Sequence, residues 1–321
     1  MAQIRSKPFG VTKEGANVTE YILSNPGGLT VSVLDYGCVI KSIIVPAKNG
    51  PVDVVVGHDT MADYEADFNS SGSTCCGAFV GRYANRIENA VFTVGGKTYQ
   101  LEANNGPNHL HGCFSRKLYR VKSFGDTLLM EAESPDGEDG FPGNLKIAVR
   151  YTLTEDNAFR MDYRVSSDAD TIVNLTNHSY FNLDGGGDVL NQKLRIYASR
   201  YLEGNNQCCP TGAILPVADT PMDFTAGKLI GLLGGELVDA IGSSGVKGIE
   251  CVGGAAGGRK RLTHAGVERT RVVAGAGKVD SRAVSLHGIR RTAELNEATT
   301  ELAECGGRSR IGAIDGSLTE G

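Results

Sequence analysis

Three of the six histidines in this 321-residue chain sit in settings that suggest chemistry. Imidazole is the side chain whose ordinary pKa lies nearest neutrality, so it can give or take a proton under mild conditions. His109 and His111 flank Leu110, a spacing that puts both on one face of a strand. His178 stands in Asn177-His178-Ser179, just past a β-branched run. An HxH pair can open a metal site, but such a site also needs a carboxylate or a further histidine, and neither is adjacent. No metal is therefore expected. The surroundings are rich in amides: Asn104, Asn105 and Asn108 precede the first pair, and Asn174, Asn177 and Asn182 bracket His178 beside Tyr180 and Phe181. Amides both donate and accept, as sugar hydroxyls require, and aromatic rings pack against pyranose faces. Arg82, Asn85 and Arg86 add cations and another amide, without the glycine-rich cradle of a phosphate loop. A neutral polyol site and an ordinary sandwich with polar loops both remain open on these grounds.

Strands must hold these loops. Leu29–Leu34, Val52–Val56, Val91–Val94, Thr98–Leu101, Leu128–Glu133, Leu145–Leu153, Phe159–Ser166, Thr171–Thr176 and Lys193–Ala198 read as strands. Gly95-Gly96 reads as a hairpin turn, and Pro/Asp/Asn/Gly clusters separate the others. No amphipathic helix of three turns is evident before residue 225. The pattern predicts an all-β protein, a sandwich or barrel of many short strands. Arg290–Ala303 has some helical character.

A net charge of -5 gives no footprint for nucleic acid. No apolar run is long enough for a membrane helix, and the amino terminus has no apolar signal core, so a soluble cytoplasmic protein is expected. Eight cysteines without a CxxC spacing are expected to be reduced. No pattern encodes an oligomeric state. The composition, however, changes along the chain. Every aromatic residue lies at or before Phe224 and every proline at or before Pro221, while 19 of the 43 glycines fall after residue 228. Two segments follow: a β-rich 1–228 and an atypical glycine-rich 229–321, read either as a weakly packing extension or as a change of reading frame near Leu229–Gly234.

Five blocks together resemble the aldose 1-epimerase (galactose mutarotase) family over about residues 8–231. They are Gly81-Arg-Tyr-Ala-Asn-Arg-Ile87, Asn105-Gly-Pro-Asn-His-Leu-His-Gly112, Pro135-Asp-Gly-Glu-Asp-Gly-Phe-Pro-Gly143, Val173-Asn-Leu-Thr-Asn-His-Ser-Tyr-Phe-Asn-Leu-Asp-Gly185 and Thr220-Pro-Met-Asp-Phe-Thr225. The resemblance implies a large antiparallel β-sandwich, incomplete here because the C-terminal segment departs from the pattern. It implies interconversion of the α and β anomers of a free aldohexose such as galactose or glucose. It makes His178 the general acid for the ring oxygen, His111 a substrate-binding and polarising residue, Asn85 and Arg86 contacts to hydroxyls, and His109 a weaker substrate-binding candidate. No cofactor is implied, since opening a hemiacetal needs only a proton taken from the C1 hydroxyl and another given to the ring oxygen.

The departure concerns the base. In the family it is a Glu in a Leu-Glu-Thr-Gln block, and an Asp in a Gly-Tyr/Phe-Asp-His block binds substrate. Neither block occurs after Gly231, and Glu250, Glu294, Glu297, Glu301, Glu304 and Glu320 lack that context. The general base is thus unassigned. An inactive sugar-binding homologue and a sugar-phosphate 1-epimerase using Arg82 or Arg86 are the alternative readings.

Overall fold

The computed structural model describes residues 2–70, 72–233, 272–274 and 277–286. The fold is all-β, as the strand pattern predicts. A first antiparallel sheet runs in sequence order through β1 (Gln3–Val11), β2 (Asn17–Ser24), β3 (Thr30–Leu34), β4 (Ile40–Val45) and β5 (Val52–Asp53). One helix, α1 (Met61–Phe68), follows. The chain then makes short strands β6 (Phe79–Val80), β7 (Arg86–Ile87), β8 (Val91–Val94), β9 (Lys97–Gln100) and β10 (His109–Leu110). The second sheet is built from β11 (Arg120–Phe124), β12 (Thr127–Ser134), β13 (Leu145–Leu153) and β14 (Phe159–Ser167). After it come β15 (Thr171–Val173), β16 (Thr176–Asn177), β17 (Lys193–Leu194), β18 (Arg200–Gly204), β19 (Pro210–Pro216) and β20 (Lys228–Leu229).

Two more strands come from the atypical segment. β21 (Val272–Ala274) pairs with β15, and β22 (Gly277–Leu286) becomes the fifth strand of the second sheet beside β14. The candidate helix Arg290–Ala303 and all the glutamates after Gly231 lie outside the described residues.

Period-two alternation makes the second sheet one-sided. In both β13 and β14 every second residue is buried: Leu145, Ile147, Val149, Tyr151 and Leu153 in one, Phe159, Met161, Tyr163 and Val165 in the other. These pack with Leu128 and Met130 against Val31, Val33, Ile40 and Ile43 of the first sheet, with Phe79 and Phe114 between. Each such aliphatic or aromatic side chain contributes roughly 1.5–3 kcal/mol relative to exposure. Tyr151 spans the layers and donates its hydroxyl to the Cys38 carbonyl at 2.7 Å, so its burial leaves no polar group unpaired.

Where the elements differ from expectation, local hydrogen bonding gives the reason. Val52–Val56 is strand only to Asp53, whose carboxylate accepts from the Ile43 and Val55 amides and so replaces the ladder. Thr171–Thr176 is two strands, because Asn174 leaves the ladder and bonds to Arg82 and Ala84 instead. Lys193–Ala198 is strand only over Lys193–Leu194. The helix is two turns long, below the length at which periodicity is readable. Its ends explain it: Thr60 accepts from the Asp63 amide at 3.2 Å as N-cap, and Met61, Tyr64 and Phe68 are buried on one side. Among the described residues, no helix is long and apolar enough to cross a membrane.

Candidate active site

One stretch of chain, residues 79–87, joins the two halves of the site. At its start β6 pairs antiparallel with β16, matching Phe79 to Asn177 and Val80 to Thr176. The next residue of that partner strand is His178, whose amide donates to the Ala78 carbonyl at 2.8 Å. At its end β7 pairs with β10, matching Ile87 to His109 and Arg86 to Leu110. The next residue there is His111. In the middle Asn174 clamps the stretch, its amide donating to the Arg82 carbonyl and its carbonyl accepting from the Ala84 amide. Residues 67 positions apart in sequence therefore meet: the rings of His111 and His178 lie 5.2 Å apart, edge to face at 82°.

Two glycines stand where this stretch passes close to its neighbours, side chains at one and backbone at the other. A Cβ at Gly81 would lie 2.5 Å from the Phe114 ring and 2.7 Å from Leu175. A Cβ at Gly112 would lie 2.4 Å from the Gly81 carbonyl oxygen, and Gly112 also has a φ of 75°. Both contacts are closer than any real side chain tolerates, so the glycines allow the two loops to touch.

His111 is held as a hydrogen-bond donor. Its Nδ1 accepts from the Asn85 backbone N–H at 3.0 Å, and its own amide donates back to the Asn85 carbonyl at 3.2 Å. An Nδ1 that accepts carries no proton, so the neutral ring has its proton on Nε2. Burial, then the nearby His178, Arg86 and His109, holds the pKa of His111 well below the ordinary imidazole value. Each of the three neighbours is itself basic. The ring is consequently neutral, with an Nε2–H available for a substrate oxygen. Asn85 and His111 both adopt left-handed backbone, at φ of 67° and 65°, and Asn85 Oδ1 accepts from the Arg86 amide at 2.7 Å. Asparagine is the residue best suited to such a bend.

His178 packs on Tyr180, ring centroids 5.3 Å apart, and is half-buried. Arg86 is half-buried, with Nε donating to Asn105 Oδ1 at 2.8 Å. The loop carrying Asn105 is closed by Asn104, whose side chain exchanges two hydrogen bonds with the Leu110 backbone. The sequence reading had no signal for Asn105 as the partner of Arg86; it emerges only from the loop closure.

Two residues singled out in the sequence sit elsewhere. His109 is fully buried, with Nδ1 donating to the Glu102 carbonyl at 2.8 Å and its ring edge-on to Phe141 at 5.2 Å. It occupies the core beneath the loop. Arg82 is 1% exposed, and all its polar directions are taken: Nε by Ser134 Oγ, and the two Nη by the carbonyls of Ser134, Pro135, Pro142 and Gly143 at 2.8–3.0 Å. A guanidinium so engaged cannot bind a substrate phosphate. Among the described residues, no three His, Cys, Asp or Glu side chains gather in metal-binding geometry.

The chain is similar to known proteins in sequence and in fold. The family described as Aldose 1-epimerase matches residues 19–241. A galactose mutarotase of Sus scrofa is 37% identical over 230 residues, covering 70% of this chain and 66% of the relative. An aldose 1-epimerase of Escherichia coli (strain K12) is 37% identical over 214 residues, covering 65% and 60%. This chain thus spans a little under two thirds of the length of the curated relatives it matches. Among solved structures, a galactose 1-epimerase from Lactobacillus acidophilus NCFM superposes with a TM-score of 0.64 at 28% identity, covering 77% of this chain and 71% of that one. A GalM/aldose epimerase homologue from C. elegans gives 0.61 at 32% identity, covering 70% and 66%. With the family match over most of the chain and the sandwich shared with solved relatives, the chain belongs to the aldose 1-epimerase family.

Proposed function

We propose that this chain binds free aldohexoses and interconverts their α and β anomers. The observation that carries the reading is the His111–His178 pair, 5.2 Å apart, with one ring fixed as a neutral Nε2–H donor. In the forward direction the C1 hydroxyl loses its proton, the bond from C1 to the ring oxygen breaks, and the ring oxygen receives a proton. His178 supplies that second proton, and the Nε2–H of His111 hydrogen-bonds the same oxygen as its electron density rises. Asn85 and Arg86 orient the hydroxyls. Rotation about C1–C2 presents the other carbonyl face, and the reverse transfers close the ring. The base that takes the first proton is left unassigned.

Polarimetry of α-galactose at low buffer concentration tests this. The chain should accelerate the approach to anomeric equilibrium, and His178→Ala should slow it by about 10²–10⁴-fold, the usual worth of a general acid. A near-normal rate in the variant removes the role of His178.

A second reading, sugar binding without turnover, is favoured by one observation: the sequence after Gly231 has no Leu-Glu-Thr-Gln block. Saturable galactose binding by calorimetry, with no change in mutarotation, would select it. In that reading residues 229–321 are the product of another reading frame. Translating codons 225–235 and those downstream in all frames would recover the base-bearing block or discard the idea. The sugar-phosphate reading rests on Arg86 alone, since Arg82 is fully engaged.

A further inference from the structure

Behind the support of His178 lies a buried His–Asp pair that the proposed chemistry does not use. His58 Nε2 and Asp67 Oδ2 are 3.1 Å apart, and both side chains are 7% exposed. His58 is itself fixed, its amide bonded to the Tyr64 hydroxyl at 3.1 Å and its ring edge-on to Tyr64 at 4.7 Å. Asp67 gathers the loop that follows α1. Its Oδ1 accepts from the Thr74 amide at 2.6 Å, and its Oδ2 from the Thr74 hydroxyl and, at 3.4 Å, from the Cys76 amide. Burial pushes this carboxyl up, but the hydrogen bonds from His58, Thr74 and Cys76 more than offset it and hold it at about 2. The carboxylate is therefore ionised near neutral pH.

The loop that Asp67 holds is the support of His178. The Thr74 carbonyl accepts from the Tyr180 hydroxyl at 3.1 Å, and the Tyr180 ring packs on the His178 ring at 5.3 Å. The Gly77 amide donates to the His178 carbonyl at 3.2 Å, and the Gly77 carbonyl accepts from Asn177 Nδ2 at 2.9 Å. The Ala78 carbonyl accepts from the His178 amide. Both the backbone of His178 and the aromatic wall behind its ring thus hang from residues 74–78. We infer that Asp67, oriented by His58, is a positioning residue that fixes the His178 imbidazole through the Thr74–Ala78 loop. This rests on the reading of His178 as the acid. A carboxylate suits the position because every group facing it is a donor; an amide would turn an N–H toward at least one of them.

Asp67→Asn tests it, with Tyr180→Phe as a variant that keeps the ring and removes the tie to Thr74. In Asp67→Asn, kcat for galactose mutarotation should fall about 10–100-fold with KM changed less than about 2-fold, because a displaced acid costs the transition state and not binding. The His178 ring signals in a ¹H–¹³C spectrum should move in both variants, further in Asp67→Asn. Unmoved His178 signals, or a loss carried by KM, overturn the inference. If Asp67→Asn fails to fold, Tyr180→Phe decides alone: its His178 signals either move or they do not. A wild-type chain without mutarotase activity removes the catalytic reading, while the ring signals still decide whether Asp67 sets His178.

Discussion

The same two loops each hold a pair of like residues with opposite fates. In residues 81–87 Arg82 turns into the core and Arg86 stays at the site; in residues 104–112 His109 turns in and His111 stays out. The inward members satisfy carbonyls: Arg82 those of Ser134, Pro135, Pro142 and Gly143, His109 that of Glu102. The outward members are held by amides: Asn105 for Arg86, the Asn85 backbone for His111. Residue type alone does not distinguish the two jobs. Left-handed backbone does, at Asn85 just before the outward Arg86 and at the outward His111 itself.

The sharpest break between these regions should come from the arginines. Arg82→Met removes the donor to the three buried carbonyls of Ser134, Pro142 and Gly143, to that of Pro135 and to Ser134 Oγ, and should cost about 3–5 kcal/mol in urea unfolding, as removal of a buried charged partner does. Arg86→Met should change stability by less than about 1 kcal/mol, yet weaken galactose binding about 10–100-fold, the worth of a lost hydrogen bond from a charged group. If Arg82→Met unfolds at the wild-type midpoint, or Arg86→Met binds galactose normally, the division into core and site members fails for this loop.

Much of this was legible in the sequence. β13 alternates so regularly that Leu145–Leu153 could be bounded to the residue, and Gly95-Gly96 marked the β8–β9 hairpin. His111, His178, Asn85 and Arg86 are candidates on their amide-rich surroundings and on resemblance, and the fold brings the rings of His111 and His178 together. Other features were hidden for physical reasons. β1 contains Pro8 and is mostly exposed along its length, so it has no inward face to alternate. α1 is too short for a periodicity but carries its own cap in Thr60 and Asp63. The inward turn of His109 could not be read from HxH spacing, because that spacing predicts one face only in an unbroken strand and β10 ends at Leu110. Asp67 was invisible since its partners, Thr74, Cys76 and His58, meet only once the loop folds back on the helix.

The smallest effect separates the two histidines by their tautomers. Nδ1 of His109 carries a proton, which it donates to the Glu102 carbonyl; the neutral ring of His111 carries its proton on Nε2, because Nδ1 accepts from Asn85. Lowering the pKa of His111 has a definite sign in stability. Below the ordinary imidazole value of about 6.5 the unfolded chain takes up a proton that the folded ring refuses, so the unfolded state gains. The stability associated with His111 is fully present above that pH and declines as pH falls from it toward the lowered value, by at most about 1.4 kcal/mol per pH unit. Urea unfolding of the wild type and of His111→Gln between pH 8 and pH 5 isolates this part, since carboxylates contribute equally to both proteins. The wild type should lose more stability than the variant on acidification below 6.5. Parallel curves would mean that His111 titrates normally, and the picture of a ring kept neutral to donate through Nε2 would have to be given up.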